Sequence, residues 1–95
     1  MTLRLDRDGQ IVFDDFRHSC PPRLIAEVAE ALGAVAHQRW ERDKDLRSYR
    51  SRAEPDVTIL RTRSDVWLHV GLWAEDAGEF TVLEISDVAP DGIGD

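Results

Sequence analysis

The stretch Asp65 to Ala74, DVWLHVGLWA, alternates with a period of two. Successive side chains of an extended strand point to opposite faces, so Val66, Leu68, Val70, Leu72 and Ala74 share one side and Trp67, His69, Gly71 and Trp73 the other. A helix would scatter both sets around its axis. The pattern commits this part of the chain to a sheet with one aliphatic, core-forming face. The second face is the unusual one. A solvated sheet surface carries Thr, Lys or Glu, whereas this one carries two indoles around a histidine and a glycine, and a surface that apolar calls for a covering.

Two more strands bracket it, about 57–63 and 79–86, with the alternating strand itself at 66–74. A four-residue loop, Glu75 to Gly78, predicts Leu72 beside Thr81, Val70 beside Leu83 and Leu68 beside Ile85 on the aliphatic face. On the other face it predicts Trp73 beside Phe80, Gly71 beside Val82, His69 beside Glu84 and Trp67 beside Ser86. A loop one residue shorter would oppose Glu75 and Glu79 and turn Glu84 onto the aliphatic face, where an unpaired carboxylate is costly. A tight turn at Ser64-Asp65 puts Val57 and Ile59 on the aliphatic face, and Thr58, Leu60 and Thr62 on the tryptophan face.

Ahead of these strands, residues 2–16 (TLRLDRDGQIVFDDF) suggest a hairpin. A loop Arg7-Asp8-Gly9 with Gly9 left-handed would pair Leu5 with Ile11 and Leu3 with Phe13. Pro21-Pro22 then suits a helix entry, where a missing N–H costs nothing. Leu24, Val28, Leu32, Val35 and Ala36 recur at helical spacing with Ile25 beside them, and Arg23, Glu27 and Glu30 lie off that stripe. The helix is expected to reach Trp40 to Arg42. Residues 41–56 are polar and aperiodic, and Leu46 and Tyr49 suit a short second helix.

These elements predict an α+β, two-layer domain over 1–88: one long helix on a mainly antiparallel sheet of about five strands, in the order β-β-α-(α)-β-β-β, with a flexible tail at 89–95. The order of elements is similar to that of a ubiquitin-type β-grasp and to the helix-plus-sheet build of small bacterial ribonuclease toxins. No motif is shared with either.

Ninety-five residues suit a single domain, and an apolar fraction of 42% is that of a globular chain rather than a disordered one. The N-terminus MTLRLDRDG is charged and alternating, unlike a secretory signal, and no apolar run is long enough for a bilayer, so a cytoplasmic location without membrane attachment is expected. A lone cysteine, Cys20, excludes an internal disulfide. Charge is uneven: residues 1–38 carry four basic and six acidic side chains, 39–63 eight and five, and 64–95 none and eight, summing to −7. That acidity disfavours nucleic acid as a partner and suits a basic protein.

Signatures of nucleotide and hydrolase chemistry are absent: no glycine loop ending in Lys-Ser/Thr, no GxSxG, no HExxH and no CxxC. No cofactor and no metal is expected. Cys20 with His18 and His69 lacks a ligand spacing, and Cys20 reads as a packing residue. The preferred reading is a non-enzymatic protein-interaction module, in one version an acidic inhibitor or immunity-type protein. Its aromatic face (Leu60, Trp67, His69, Gly71, Trp73, Phe80 and Val82) would serve self-association, as a homodimer, or partner binding. One alternative is a small hydrolytic or RNA-cleaving enzyme using Arg61, His69 and Glu84, since a cross-strand carboxylate can fix an imidazole's tautomer. Another is a small-ligand carrier with a tryptophan-lined pocket.

Overall fold

The computed structural model describes residues 2–90 and the strand pairing of 93–94. The elements are β1 (Arg4–Leu5), α1 (Arg7–Ser19), α2 (Pro22–Ala36), β2 (Arg47–Ser51), β3 (Val57–Arg61), β4 (Trp67–Gly71), β5 (Glu79–Ser86) and β6 (Ile93–Gly94). Short 3-10 turns at Trp40–Arg42 and Glu75–Ala77 complete them. The strands form one mixed, mainly antiparallel sheet in the order β1-β5-β4-β3-β2-β6, in which only β1 and β5 run parallel. Both helices pack on one face of it, so the α+β, two-layer class is the observed one, with two helices in place of one. Within the segment expected to be a tail, β6 pairs with β2, while 91, 92 and 95 lie outside the described residues.

The N-terminal hairpin is absent, and with it the β-grasp order. Residues 7–19 are a helix because two signals agree. Asp6 is its N-cap, its carboxylate accepting the Gly9 N–H at 2.8 Å. Gly9, Val12, Phe13 and Phe16 recur at i, i+3, i+4 and i+7, and the last three pack against the core. The Asp-Gly pair that reads as a hairpin loop therefore sits in a helix's first turn. Gly9 is there for contact rather than for backbone freedom. A β-carbon on it would lie 2.7 Å from the Val82 backbone nitrogen and 2.6 Å from Leu5 Cδ1. α1 thus lies directly on β5, and β1, only two residues long, pairs in parallel with β5 (Arg4 beside Glu79, Leu5 beside Phe80) instead of with residues 11–13.

Helix α2 starts at the paired prolines as expected, with Pro21 as its N-cap. It stops at Ala36, short of Trp40, because the chain turns at Gln38, whose φ is 56°. Val28, Ala31, Leu32 and Val35 close over Leu60, Val66, Leu68, Val70, Phe80 and Val82. Tyr49 lies in β2 rather than in a second helix, and Leu46 packs at the edge of the core.

Two local irregularities decide which side chains face the helices. The β3–β4 connection closes through Thr62 and Val66, whose backbones bond at 2.9 Å, around a three-residue loop ending at Asp65 with φ 62°. Aspartate tolerates that left-handed position better than most residues. The loop is one residue longer than a tight Ser64-Asp65 turn, and one residue exchanges the faces of a strand. Leu60 therefore pairs with Leu68 and faces the helices, while Ile59 pairs with His69 and Val57 with Gly71 on the outer side. In β4–β5 the expected pairs Trp67/Ser86, Leu68/Ile85 and His69/Glu84 are present, but a bulge follows, and Val70 meets Val82 and Gly71 meets Thr81. The bulge leaves Leu83 44% exposed.

Candidate functional site

The outer face of the sheet, away from both helices, carries the side chains from which chemistry or recognition was expected. Its first row, across β2 to β5, is Arg47, Arg61, Trp67 and Ser86. Its second is Tyr49, Ile59, His69 and Glu84. Its third runs Val57, Gly71 and Thr81. Of the seven residues expected to form an aromatic binding face, Trp67, His69 and Gly71 lie here. Leu60, Phe80 and Val82 do not. The longer β3–β4 loop and the β5 bulge turn them inward, where each is at most 1% exposed.

Trp67 is covered within the chain. The Arg61 guanidinium lies 5.3 Å from its ring and Tyr49 5.6 Å away at a tilt of 37°. The indole is only 7% exposed, so the burial for which a second copy was invoked is supplied by Arg61 and Tyr49. Trp73 behaves differently. It is 54% exposed, and its six-membered ring lies over Gly71, whose missing side chain makes the room. Leu83, exposed by the bulge, and Trp73 are the large apolar side chains at the surface of this hairpin. Glu75, Asp76 and Glu79 connect them along the chain and Glu84 follows directly, with no Lys or Arg anywhere between Ser64 and Asp95.

The three residues of the hydrolytic alternative share the outer face, although not as a finished catalytic site. His69 Nε2 stands 3.8 Å from Glu84 Oε2, an ion-pair distance too long for a hydrogen bond. Glu84 is largely in solvent, its side chain 63% exposed. Arg61 is engaged elsewhere, bonded to Asp65 at 2.6 Å. Hydrogen bonding to Tyr49, and next to Asp65, holds its guanidinium pKa above the ordinary arginine value. Cys20, at the junction of α1 and α2, is on the helix layer and apart from His69, and His18 contacts the Asp14 carbonyl through Nδ1 at 2.6 Å. Among the described residues no three His, Cys, Asp or Glu side chains converge in the manner of a metal site, and no helix is long and apolar enough to cross a membrane.

The sequence marks 39–63 as a basic stretch, and the fold gathers part of it into one arrangement. At the end of the sheet where β3 turns into β4, a cleft of about 280 Å³ opens between Lys44, Arg47, Arg61 and Arg63, with Asp45 and Asp65. Beside it lies Glu27, expected on the solvent side of α2 yet only 7% exposed. Its carboxylate accepts the Ser64 hydroxyl at 2.6 Å and the Ser64 N–H at 3.2 Å, and faces Arg63 Nε at 3.8 Å. Burial pushes this carboxyl's pKa up, but the hydroxyls of Ser64 and Thr62, the Ser64 N–H and Arg63 together outweigh it, and the pKa lies below the usual glutamate value. A glutamate i+3 from Leu24 with a serine 37 residues later leaves no local pattern to read, so periodicity alone assigned it to solvent.

No family model matches this chain, and no curated protein and no solved structure matches it.

Proposed function

We propose that this chain is a non-enzymatic interaction module that binds a basic protein surface through the outer side of the β4–β5 hairpin. The observation that carries the reading is the exposure of both Trp73 and Leu83 inside a segment without a single Lys or Arg and with eight acids. An exposed indole set among carboxylates is the composition of an interaction hot spot with a charged rim: the ring provides buried area, and the rim provides selectivity and steering toward a cationic partner. Gly71 adds to it, because the indole rests against it instead of standing free, which lowers the ordering cost on binding. The hydrolytic alternative draws less support, since His69 and Glu84 stand 3.8 Å apart with Glu84 largely in solvent, and Arg61 is bonded to Asp65. A carrier would need an enclosed apolar cavity, and the cleft beside Arg61 is lined by charges.

A photo-crosslinking amino acid at position 83, used in the native host, tests this directly. The expected product joins this chain to another protein through a lysine- or arginine-rich face. With that partner purified, Trp73→Ser is expected to weaken binding about tenfold or more, and raising salt from about 0.05 to about 0.5 M to weaken it further. Crosslinks only between copies of this chain, or unchanged affinity in Trp73→Ser, would refute the reading.

A further inference from the structure

From the cleft at the β3–β4 end of the sheet we infer a second binding site, one that takes the phosphates of a small diphosphate-bearing ligand. It lies at the other end of β4 from Trp73 and is independent of the protein-binding surface. Arg47 and Arg61 are directly opposed on neighbouring strands. Like charges in that relation repel, with β-carbons roughly 5 Å apart, so the arrangement is one that an anion between them relieves. Lys44 and Arg63 bring the number of cations around the cleft to four, against the two carboxylates Asp45 and Asp65. The two carboxylates are already engaged, Asp65 by Arg61 at 2.6 Å and Asp45 by Arg63 at 3.7 Å. Among the described residues Arg47 and Lys44 have no carboxylate partner. With Glu27 counted as a third carboxylate through its contact with Arg63, the cleft and its rim carry a net charge of +1, in a chain whose net charge is −7.

The arginines are also held in place before any ligand arrives. Arg61 is fixed between Asp65 and the Trp67 ring. Arg63 faces Glu27, and Glu27 in turn holds the loop through the Ser64 N–H and hydroxyl. Arg61 spends its Nε and Nη2 on Asp65, so Arg61 and Arg63 shape the cleft as fixed groups with little entropy left to lose, and Arg47 supplies the unengaged guanidinium fork that suits phosphate oxygens. A volume of about 280 Å³ equals roughly nine waters at the liquid's ~30 Å³ each, more than a lone phosphate fills. A diphosphate matches the room, and Arg47 and Lys44 are the two cations without a carboxylate partner that are there to meet it. Its organic portion goes unread, because Trp67, the aromatic ring beside the cleft, is 7% exposed and offers no face for a base to stack on.

Calorimetric titration of the intact chain with inorganic diphosphate, with sodium chloride as a control matched for ionic strength, tests the site. Saturable binding with one equivalent is expected. Arg47→Ala, which removes an exposed side chain with no internal partner, is expected to weaken it at least tenfold while leaving the circular dichroism spectrum and the melting temperature unchanged. Arg50→Ala, on the same strand and outside the cleft, is expected to leave it within twofold. Adenosine diphosphate is expected to bind within threefold of inorganic diphosphate. The inference is overturned if diphosphate binds no better than the chloride control predicts, or if Arg47→Ala binds as wild type does. A nucleotide tenfold tighter than diphosphate would equally overturn it, since the organic portion would then be read.

Discussion

Trp73 folds its indole across Gly71, so that a β-carbon on residue 71 would run into the far edge of the ring and stand 2.9 Å from Thr81 Cγ2. Gly71 ends β4 and Trp73 lies two residues on, in the turn that follows, and the smaller one fixes the pose of the larger. Gly71→Ala is expected to push the ring off the sheet rather than unfold the protein, because the far end of an exposed side chain can move. The cost should be about 1 kcal/mol, at the low end for overpacking. Tryptophan emission should shift to the red, and partner affinity should fall with it. A variant with unchanged emission would show that Trp73 does not depend on Gly71 for its position.

Gly9 poses the opposite case. Here a β-carbon would stand 2.7 Å from the Val82 backbone nitrogen, which cannot rotate away. Alanine in a helix is worth about 1 kcal/mol over glycine, and overpacking a tight contact costs about 1–3 kcal/mol. The contact should win, and Gly9→Ala should lower the urea midpoint. A raised midpoint would mean that α1 can lift off β5 at no expense.

At the start of the same helix, Asp6→Ala should cost about 1 kcal/mol by leaving the Gly9 N–H without its 2.8 Å acceptor. Asp6→Asn, which keeps an oxygen in place, should cost less. Equal stabilities for the two variants would argue that the cap contributes nothing.

The helix over Arg7–Ser19 departs furthest from what the sequence pattern predicts, and the reason is physical. Leu3, Leu5, Ile11 and Phe13 fit an alternating pattern around Asp8-Gly9, while Gly9, Val12, Phe13 and Phe16 fit a helical one. Two short periodicities competed over one segment, and the N-cap at Asp6 decided between them. By contrast, the paired prolines before α2 and the alternation of β4 had no rival, and both elements begin within a residue of where the pattern puts them, although α2 ends at Ala36 and β4 at Gly71, short of the expected 40–42 and 74. The outer face was legible only in part. His69 beside Glu84 and Trp67 beside Ser86 follow from loop length and charge. The positions of Leu60, Phe80 and Val82 depended on a left-handed Asp65 and a bulge after His69, each a shift of one residue that leaves no mark in hydropathy. The charged cleft was legible only as an excess of basic residues over 39–63: its cations come from 44, 47, 61 and 63, and the pairing of β2 with β3 is what brings Arg47 and Arg61 together.

Glu27 gives the clearest pH dependence. Its carboxyl binds a proton more weakly in the folded chain than in the unfolded one, because the bonds to Ser64 and Thr62 and the charge of Arg63 outweigh the burial that opposes ionisation. A carboxyl shifted in that direction contributes stability that is fully present above its unfolded pKa of about 4.3. The contribution is lost as the pH falls through the lower, folded value. Wild type should therefore lose stability from about pH 5 downward, and Glu27→Gln should lose less over the same interval, having no proton to take up. At neutral pH the glutamine variant should already be weaker, by about 1 kcal/mol, and Glu27→Ala by about 2 kcal/mol, since bonds to a charged acceptor are worth more than neutral ones. Urea midpoints measured for the three proteins between neutral and acid pH give all of these differences. Parallel curves for wild type and Glu27→Gln would mean that the Ser64 bonds do not hold the carboxylate in its charged form.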